Sequence, residues 1–394
     1  MKRIKIGLLT KVIIAIILGI TSSYIIPDSI VRAFVTFNSI FGNFLGFTIP
    51  LIILGLVAPG IADLGKTAGK LLAITALIAY LSTVLAGYFS FFTTEWSLPL
   101  LIDKNENFHD LSQLSSNQIL HYFTVDMPPV MSVTSALILA FVIGLGVSGM
   151  KTNNIKYILS EFRELVTTII VKAIIPLLPI YIFGIFLKIA SEGQATMIMK
   201  LFFKVIIVIF VMHIILLLTQ FIIAGFITKK NPFRALINML PAYMTALGTQ
   251  SSAATIPVTL SQAKKNGVDP ELADFVIPLC ATIHLSGSML KIVSCAFAIM
   301  WMMNMPYSAE MFSGFIFILA ITMVAAPGVP GGAIMAAIGV LQSTLLFDEQ
   351  AIGLMIALYI AMDSFGTACN VTGDGAIAMI VNKINRKITV RNPV

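Results

Sequence analysis

Charge is what this sequence has least of. Of its 394 residues only 11% are charged and 58% are hydrophobic, whereas soluble domains carry about 25% charged residues. That shortage excludes a water-soluble fold, because so much apolar surface would remain exposed as patches that associate. Acids are scarcer than bases, 18 against 25, giving a formal net charge of +7. The bases are nevertheless scattered, so they form no basic face for nucleic acid. Cysteine is sparse as well. Cys280, Cys295 and Cys369 all lie within apolar segments, and no disulfide framework is implied.

Long apolar runs are what the sequence has instead. A membrane-spanning helix needs about 20 apolar residues, and runs near 8–26, 38–60, 69–92, 129–149, 165–190 and 200–227 meet that need. The first follows Met1-Lys2-Arg3-Ile4-Lys5 in the manner of a signal peptide, but no Ala-x-Ala-like cleavage site follows Ile13–Ile20, so a retained span is expected. Counted from a cytoplasmic N-terminus, the basic loops around Lys66–Lys70, Lys151–Lys156, Lys229–Arg234 and Lys264–Lys265 and the tail at Lys383–Arg391 fall inside. The expected outer segments at 95–110, 303–310 and 346–350 hold a single base, Lys104. This is the positive-inside asymmetry, and it puts both termini on the cytoplasmic side of the cell membrane. The parity holds only if part of the last third enters the membrane and returns to the same side. Trp96 and Trp301, near expected span ends, read either as interfacial anchors or as ordinary apolar filling.

Three interruptions mark that last third. Thr249-Gln250-Ser251-Ser252-Ala253-Ala254-Thr255-Ile256-Pro257 lies between two basic clusters and reads as the tip of a helical hairpin entering from inside. A Ser-rich helix start of this kind suits an anion. His284-Leu285-Ser286-Gly287-Ser288, within the apolar stretch 273–303, reads as a broken helix, since irregular backbone at membrane depth must be buried or line a wet cavity. Ala325-Ala326-Pro327-Gly328-Val329-Pro330-Gly331-Gly332 cannot sit at the centre of a continuous helix and reads as the tip of a second hairpin, entering from outside. Two interrupted hairpins of opposite sense suggest an inverted repeat, the design in which transporters place substrate and ions where broken helices meet.

The segment 354–381, expected as one final span, carries Asp363, Thr367, Asn370 and Asp374 at i, i+4, i+7 and i+11, on one helix face. A carboxylate in a membrane costs at least about 2.5 kcal/mol and usually marks an ion or substrate path. A structural hydrogen-bonded face is the alternative. A hard cation such as sodium would suit oxygen ligands of this kind.

With Asn370-Val371-Thr372-Gly373-Asp374, Gly328-Val329-Pro330-Gly331 and the Ser251-Ser252 tip in place, most of the chain resembles the dicarboxylate/amino acid:cation symporters, which include glutamate transporters and neutral amino acid exchangers. The resemblance implies an all-α polytopic membrane protein with eight spans, two re-entrant helical hairpins, inverted repeats and an elevator motion. It also implies a homotrimer. The organisation would be scaffold spans in 1–70, a third span of the transport part and an outer connection in 71–128, further scaffold spans in 129–199, and a transport core in 200–394.

Residue by residue, Asp363 resembles the carboxylate that takes the substrate ammonium, and Asn370 the amide on the substrate carboxylate. Ser251 and Ser252 would add backbone donors, Thr367 matches a pocket threonine, and Gly328, Val329 and Gly366 complete the substrate site. For sodium, Asp374 resembles the carboxylate of one site, assisted by carbonyls near Cys280, His284 and Asn370. Thr282, Ala325 and Gly328 match positions that shape a second.

Two departures are informative. Members with acidic substrates carry an arginine where this chain has Gly366, or supply one from positions that are Gln250 and Ser364 here. A second substrate carboxylate would lack its charge-assisted partner, so a neutral amino acid is expected. The aspartate of a third sodium site is replaced by Ser286, and its partners on the third span by Thr75, Ile78 and Ala79. Sodium is the expected coupling ion, with a proton as the variant, carried on His284 if that histidine is not simply a hydrogen-bonded core group. Lys291 reads as a substitute for the lost cation, a structural ion pair or a snorkelling side chain. A passive anion channel is the reading from a different class. An intramembrane enzyme would have to use His284, Ser286 and Asp374, without a nucleophile motif or paired metal ligands, and is not expected.

Overall fold

The computed structural model describes residues 7–63, 69–101, 119–150, 154–324, 326 and 330–391. The chain forms α1 (Leu8–Ser22), α2 (Asp28–Asp63), α3 (Gly69–Leu101), α4 (Val133–Ser148), α5 (Asn154–Ile169), a π-helical turn (Ile170–Ile174), α6 (Ile175–Ser191), α7 (Ala195–Thr228), α8 (Pro232–Thr249), α9 (Ser252–Lys265), α10 (Pro270–Ile283), α11 (Ser286–Met302), α12 (Ala309–Met323), α13 (Gly332–Thr344), α14 (Glu349–Ala361) and α15 (Asp363–Arg391). Among the described residues there is no strand.

Among the described residues, five stretches of helix are long and apolar enough to cross a membrane: 28–62, 71–101, 154–191, 195–228 and 270–302. The pair α14 and α15, bent by 61°, makes a sixth. The apolar runs expected near 8–26 and 129–149 appear as shorter helices, α1 of 15 residues and α4 of 16. Long outward faces are apolar, as on α7, where Phe203, Ile207, Val211, Ile214 and Phe226 are exposed. Such faces suit lipid, and together with the lengths of the apolar helices they make the chain a multi-pass membrane protein.

Two expectations need correction. The outer connection was placed from residue 95, but α3 continues to Leu101. Trp96, near the end of that helix, points outward and is 71% exposed. The final span is not one helix. It breaks at Met362, so that Asp363 is the first residue of α15. Each helical hairpin, α8 with α9 and α12 with α13, is therefore followed by an interrupted helix, which strengthens the repeat read from the sequence.

Helices α1, α2, α4, α5 and α6 pack with one another, while α8, α9 and α10 pack around α15, which also meets α7, α11 and α3. Side-chain caps set several helix starts, including those of α8, where Asn231 accepts from the Arg234 N–H, and α9, where Ser251 accepts from the Ala254 N–H. Such caps satisfy donors that the helix cannot. Between them, Gln250 turns the first hairpin with a left-handed φ of 53°. Helix α11 is the most enclosed element, with every residue but Trp301 buried.

Candidate functional site

The two interruptions following the hairpins meet in the buried interior. Asp363, at the start of α15, is 5% exposed. Its Oδ1 lies 3.2 Å from the Nζ of Lys291, and its Oδ2 accepts from the Gly331 N–H at 2.8 Å. Gly331 is the residue before α13, at φ +75°. The carboxylate therefore ties the second arm of the hairpin α12–α13 to the broken helix α10–α11 and is satisfied on both sides.

Lys291 is fully buried, which excludes snorkelling and leaves the ion pair. Its ammonium also touches the Met362 carbonyl at 3.4 Å and lies 3.4 Å from the centre of the Tyr359 ring. The same ammonium occupies the space beside Gly366, where a Cβ would fall 2.8 Å from Nζ. A positive charge is thus present where the sequence reading found none. It comes from another helix, 72 residues away from Asp363 in the chain. The two other positions from which an arginine could come, Gln250 and Ser364, meet each other instead, with Gln250 Nε2 donating to Ser364 Oγ at 2.8 Å.

Asn370 does more than the resemblance implied. Its Oδ1 accepts from the N–H groups of Gly287 at 2.8 Å and Ser288 at 3.2 Å, and its Nδ2 donates to Ser288 Oγ at 3.0 Å. Its side chain caps α11 from across the interface, leaving one amide hydrogen for a ligand. The helices can approach this closely because Gly287 has no side chain. A Cβ there would lie 2.7 Å from that of Cys369.

A cavity of about 30 Å³ lies among Ser252, Thr282, Ser288, Asp363, Thr367 and Asn370, with Gln250, Tyr359 and apolar Ala281, Leu285, Ala326 and Ala333 completing it. It has room for water and none for an amino acid. Ser252 brings the start of α9 to this cavity; Ser251 itself is the cap of that helix. Of the expected residues, Ala325, Gly328 and Val329 lie outside the described residues.

Asp374 stands in a second constellation. His284 Nδ1 is 2.9 Å from its Oδ1, and His284 Nε2 is 3.0 Å from Ser82 Oγ. Gln220 Nε2 donates to Ser82 Oγ and to Ser286 Oγ, both at 3.1 Å. An ionised Asp374 can only accept, so the hydrogen of that bond is assigned to His284 Nδ1, and Ser82, which accepts from Gln220, has its own hydroxyl hydrogen for His284 Nε2. Asp374 Oδ2 is buried without a partner among the described residues.

The expected sodium ligands have these partners. The Cys280 carbonyl accepts from the His284 N–H at 2.8 Å and keeps a second lone pair, and the His284 ring meets Asp374. Thr282 is exposed and donates to the Leu279 carbonyl at 2.7 Å. The unpartnered oxygen of Asp374 nonetheless fits a hard cation. Where the resemblance would put a third sodium site, Thr75 donates to Leu71 within its own helix, Ala79 is buried, and Ile78 lines an apolar cavity. That cavity, about 350 Å³ between α3, α7 and α15, offers only Ser82, Thr219 and Gln220 as polar groups and no charge for a zwitterion.

Sequence reasoning missed Ser82, Gln220 and Tyr359. A lone glutamine in the apolar α7 was a signal of the kind that buried polar groups in spans provide. Ser82 and Tyr359 gave none, because hydroxyls in spans commonly bond their own helix.

Comparison with known proteins agrees with this architecture. A serine/threonine transporter SstT of Acinetobacter baumannii (strain AYE) is 26% identical over 388 residues, covering 94% of this chain and 95% of the relative. One from Acinetobacter baylyi is 25% identical over 399 residues, covering 97% and 98%. The human neutral amino acid transporter A is 32% identical over 167 residues, 41% of this chain and 30% of that one. The sequence profile of the sodium:dicarboxylate symporter family, a family of transporters rather than enzymes, matches residues 8–384. On that match over nearly its whole length, this chain belongs to the sodium:dicarboxylate symporter family.

Proposed function

We propose that this protein is a secondary active transporter of a neutral amino acid, coupled to sodium as a symporter or exchanger, in the cell membrane. The observation that carries the reading is the constellation of Asp363, Thr367 and Asn370 around a closed cavity between two hairpins. Asp363 would take the substrate ammonium. The remaining Asn370 amide hydrogen and the N–H groups at the start of α9 would take its carboxylate, since the first donors of a helix lack intrahelical partners. In this reading the outer hairpin, whose Gly331 N–H bonds the Asp363 carboxylate, moves to admit substrate. Asp374, with one oxygen open, is the seat for the coupling cation.

The serine/threonine and neutral amino acid transporters among the relatives support the neutral substrate. In this reading α1, α2, α4, α5 and α6 form the scaffold, and α3 with α7–α15 moves as an elevator. Three copies assemble, the hairpins re-enter the membrane so that eight spans remain, and both termini face the cytoplasm. Uptake into proteoliposomes under an imposed sodium or pH gradient tests the function. Accumulation of serine, alanine or threonine against a concentration gradient is expected, and equilibration without accumulation would instead indicate a passive pore.

A second reading, an acidic amino acid, is favoured by one observation. The Lys291 ammonium lies beside Gly366 and could pair with a side-chain carboxylate once released from Asp363. Glutamate or aspartate uptake exceeding that of serine would decide for it.

A further inference from the structure

The buried pair of Lys291 and Asp363 has no counterpart in a site that simply waits for an ammonium. In the closed site Asp363 already holds one, on a side chain of its own protein, and both carboxylate oxygens are engaged. Removing one member of a buried pair leaves an uncompensated charge, which is strongly unfavourable. An empty transporter that carries Asp363 through the bilayer faces that problem on every return.

We propose that Lys291 is a tethered cation that substitutes for the substrate ammonium at Asp363 whenever the site is empty, so that the unloaded carrier can return by itself. This rests on the transport reading given above. The charges close in both states. Empty, Lys291 and Asp363 neutralise each other. Loaded, the substrate ammonium takes Asp363, and Lys291 withdraws to the Met362 carbonyl and the Tyr359 ring face that it already touches. The substrate carboxylate then supplies the compensating negative charge. An aromatic face is a suitable resting place for an ammonium in a dry site. Neither arrangement needs the lysine to lose its proton or to leave the protein interior.

The consequence is a preference for net uptake over obligatory exchange. Substrate uptake is measured into sodium-driven proteoliposomes holding either no substrate or unlabelled substrate, with choline or potassium as the internal cation. Wild-type protein is expected to take up substrate into substrate-free, choline-filled vesicles at a rate comparable to exchange. Dependence of that rate on internal substrate or internal potassium would overturn the proposal, because a carried species would then be doing the lysine's work. Absence of transport in both modes would refute the transport reading instead, so the two failures are distinct.

In Lys291→Met, which keeps side-chain length without charge, the ratio of net uptake to exchange should fall about tenfold or more, as expected when a buried carboxylate loses its partner. Lys291→Arg, which keeps the charge, should hold the ratio closer to wild type. An unchanged ratio in Lys291→Met would overturn the proposal. If that variant does not fold, the wild-type comparison in choline still decides.

Discussion

Asp363 and Asp374 lie on one helix, both almost fully buried, yet their surroundings have little in common. Asp363 stands at the start of α15, where the helix end favours negative charge, and its two oxygens are filled by Lys291 and the Gly331 N–H. Asp374 is mid-helix, with one oxygen on His284 and the other unpartnered among the described residues. The first site is complete and can bind only by exchanging partners. The second is incomplete and can bind by addition. Exchange of partners suits a ligand that brings both signs of charge, and addition suits a bare cation. The proposed roles, substrate at Asp363 and coupling ion at Asp374, rest on this difference rather than on the identities of the two acids.

Several substitutions would break or sharpen that contrast. The largest effect is expected from Asp363→Asn, which removes the ammonium acceptor and leaves Lys291 as an unpaired buried cation. Uptake should fall by about a hundredfold or more, in line with a loss of 3–5 kcal/mol for a broken buried pair, while assembly judged by size-exclusion chromatography persists. Normal uptake would remove Asp363 from the substrate site.

Next is Asp374→Asn, which takes away the charge without the shape. Uptake at saturating substrate should require roughly tenfold more sodium, as expected when a buried cation loses one charge-assisted ligand; an unaltered sodium dependence would place the coupling ion elsewhere. His284→Gln should have a smaller effect, a few-fold at most in the same titration, because it alters a hydrogen bond to the carboxylate and not the carboxylate itself. A larger effect than that of Asp374→Asn would make the histidine, rather than the acid, the centre of the coupling site.

The smallest effect belongs to a third acid, Asp269, whose exposed carboxylate meets Arg386 at the surface. The guanidinium holds this carboxyl below its usual range. The pair therefore contributes above the ordinary carboxylate pKa and is lost only as pH falls through the lowered one. Asp269→Asn should leave uptake unchanged between pH 6 and pH 8, since exposed ion pairs contribute little.

Much of the architecture was legible because glycine, proline and serine interrupt apolar runs for local reasons. The break at His284–Leu285 and the turn at Gln250–Ser251 lie where the sequence placed them. The break at Met362 was not legible. Tyr359, Ile360, Ala361 and Met362 are all compatible with helix, and no glycine or proline marks the bend. The site was half legible. Asp363, Thr367 and Asn370 do line one cavity, and Cys280, His284 and Asp374 do lie together. What each polar atom touches was not. Asn370 spends three hydrogen bonds on α11, a use that depends on how α11 docks against α15.

By itself the sequence determined that this protein lives in a membrane, that its last third is interrupted, and that two rare acids share one helix face. Those properties follow from composition and from periodicity along a single element, which no packing can alter. Only the tertiary structure decided where the compensating charge comes from. Gly366 suggested that none was present, yet Lys291 fills that space from a helix distant in sequence, because Gly287 and Gly366 let α11 and α15 approach until the ammonium reaches Asp363. Charge pairing inside a membrane depends on distances of a few ångströms between helices, and those distances are set by packing.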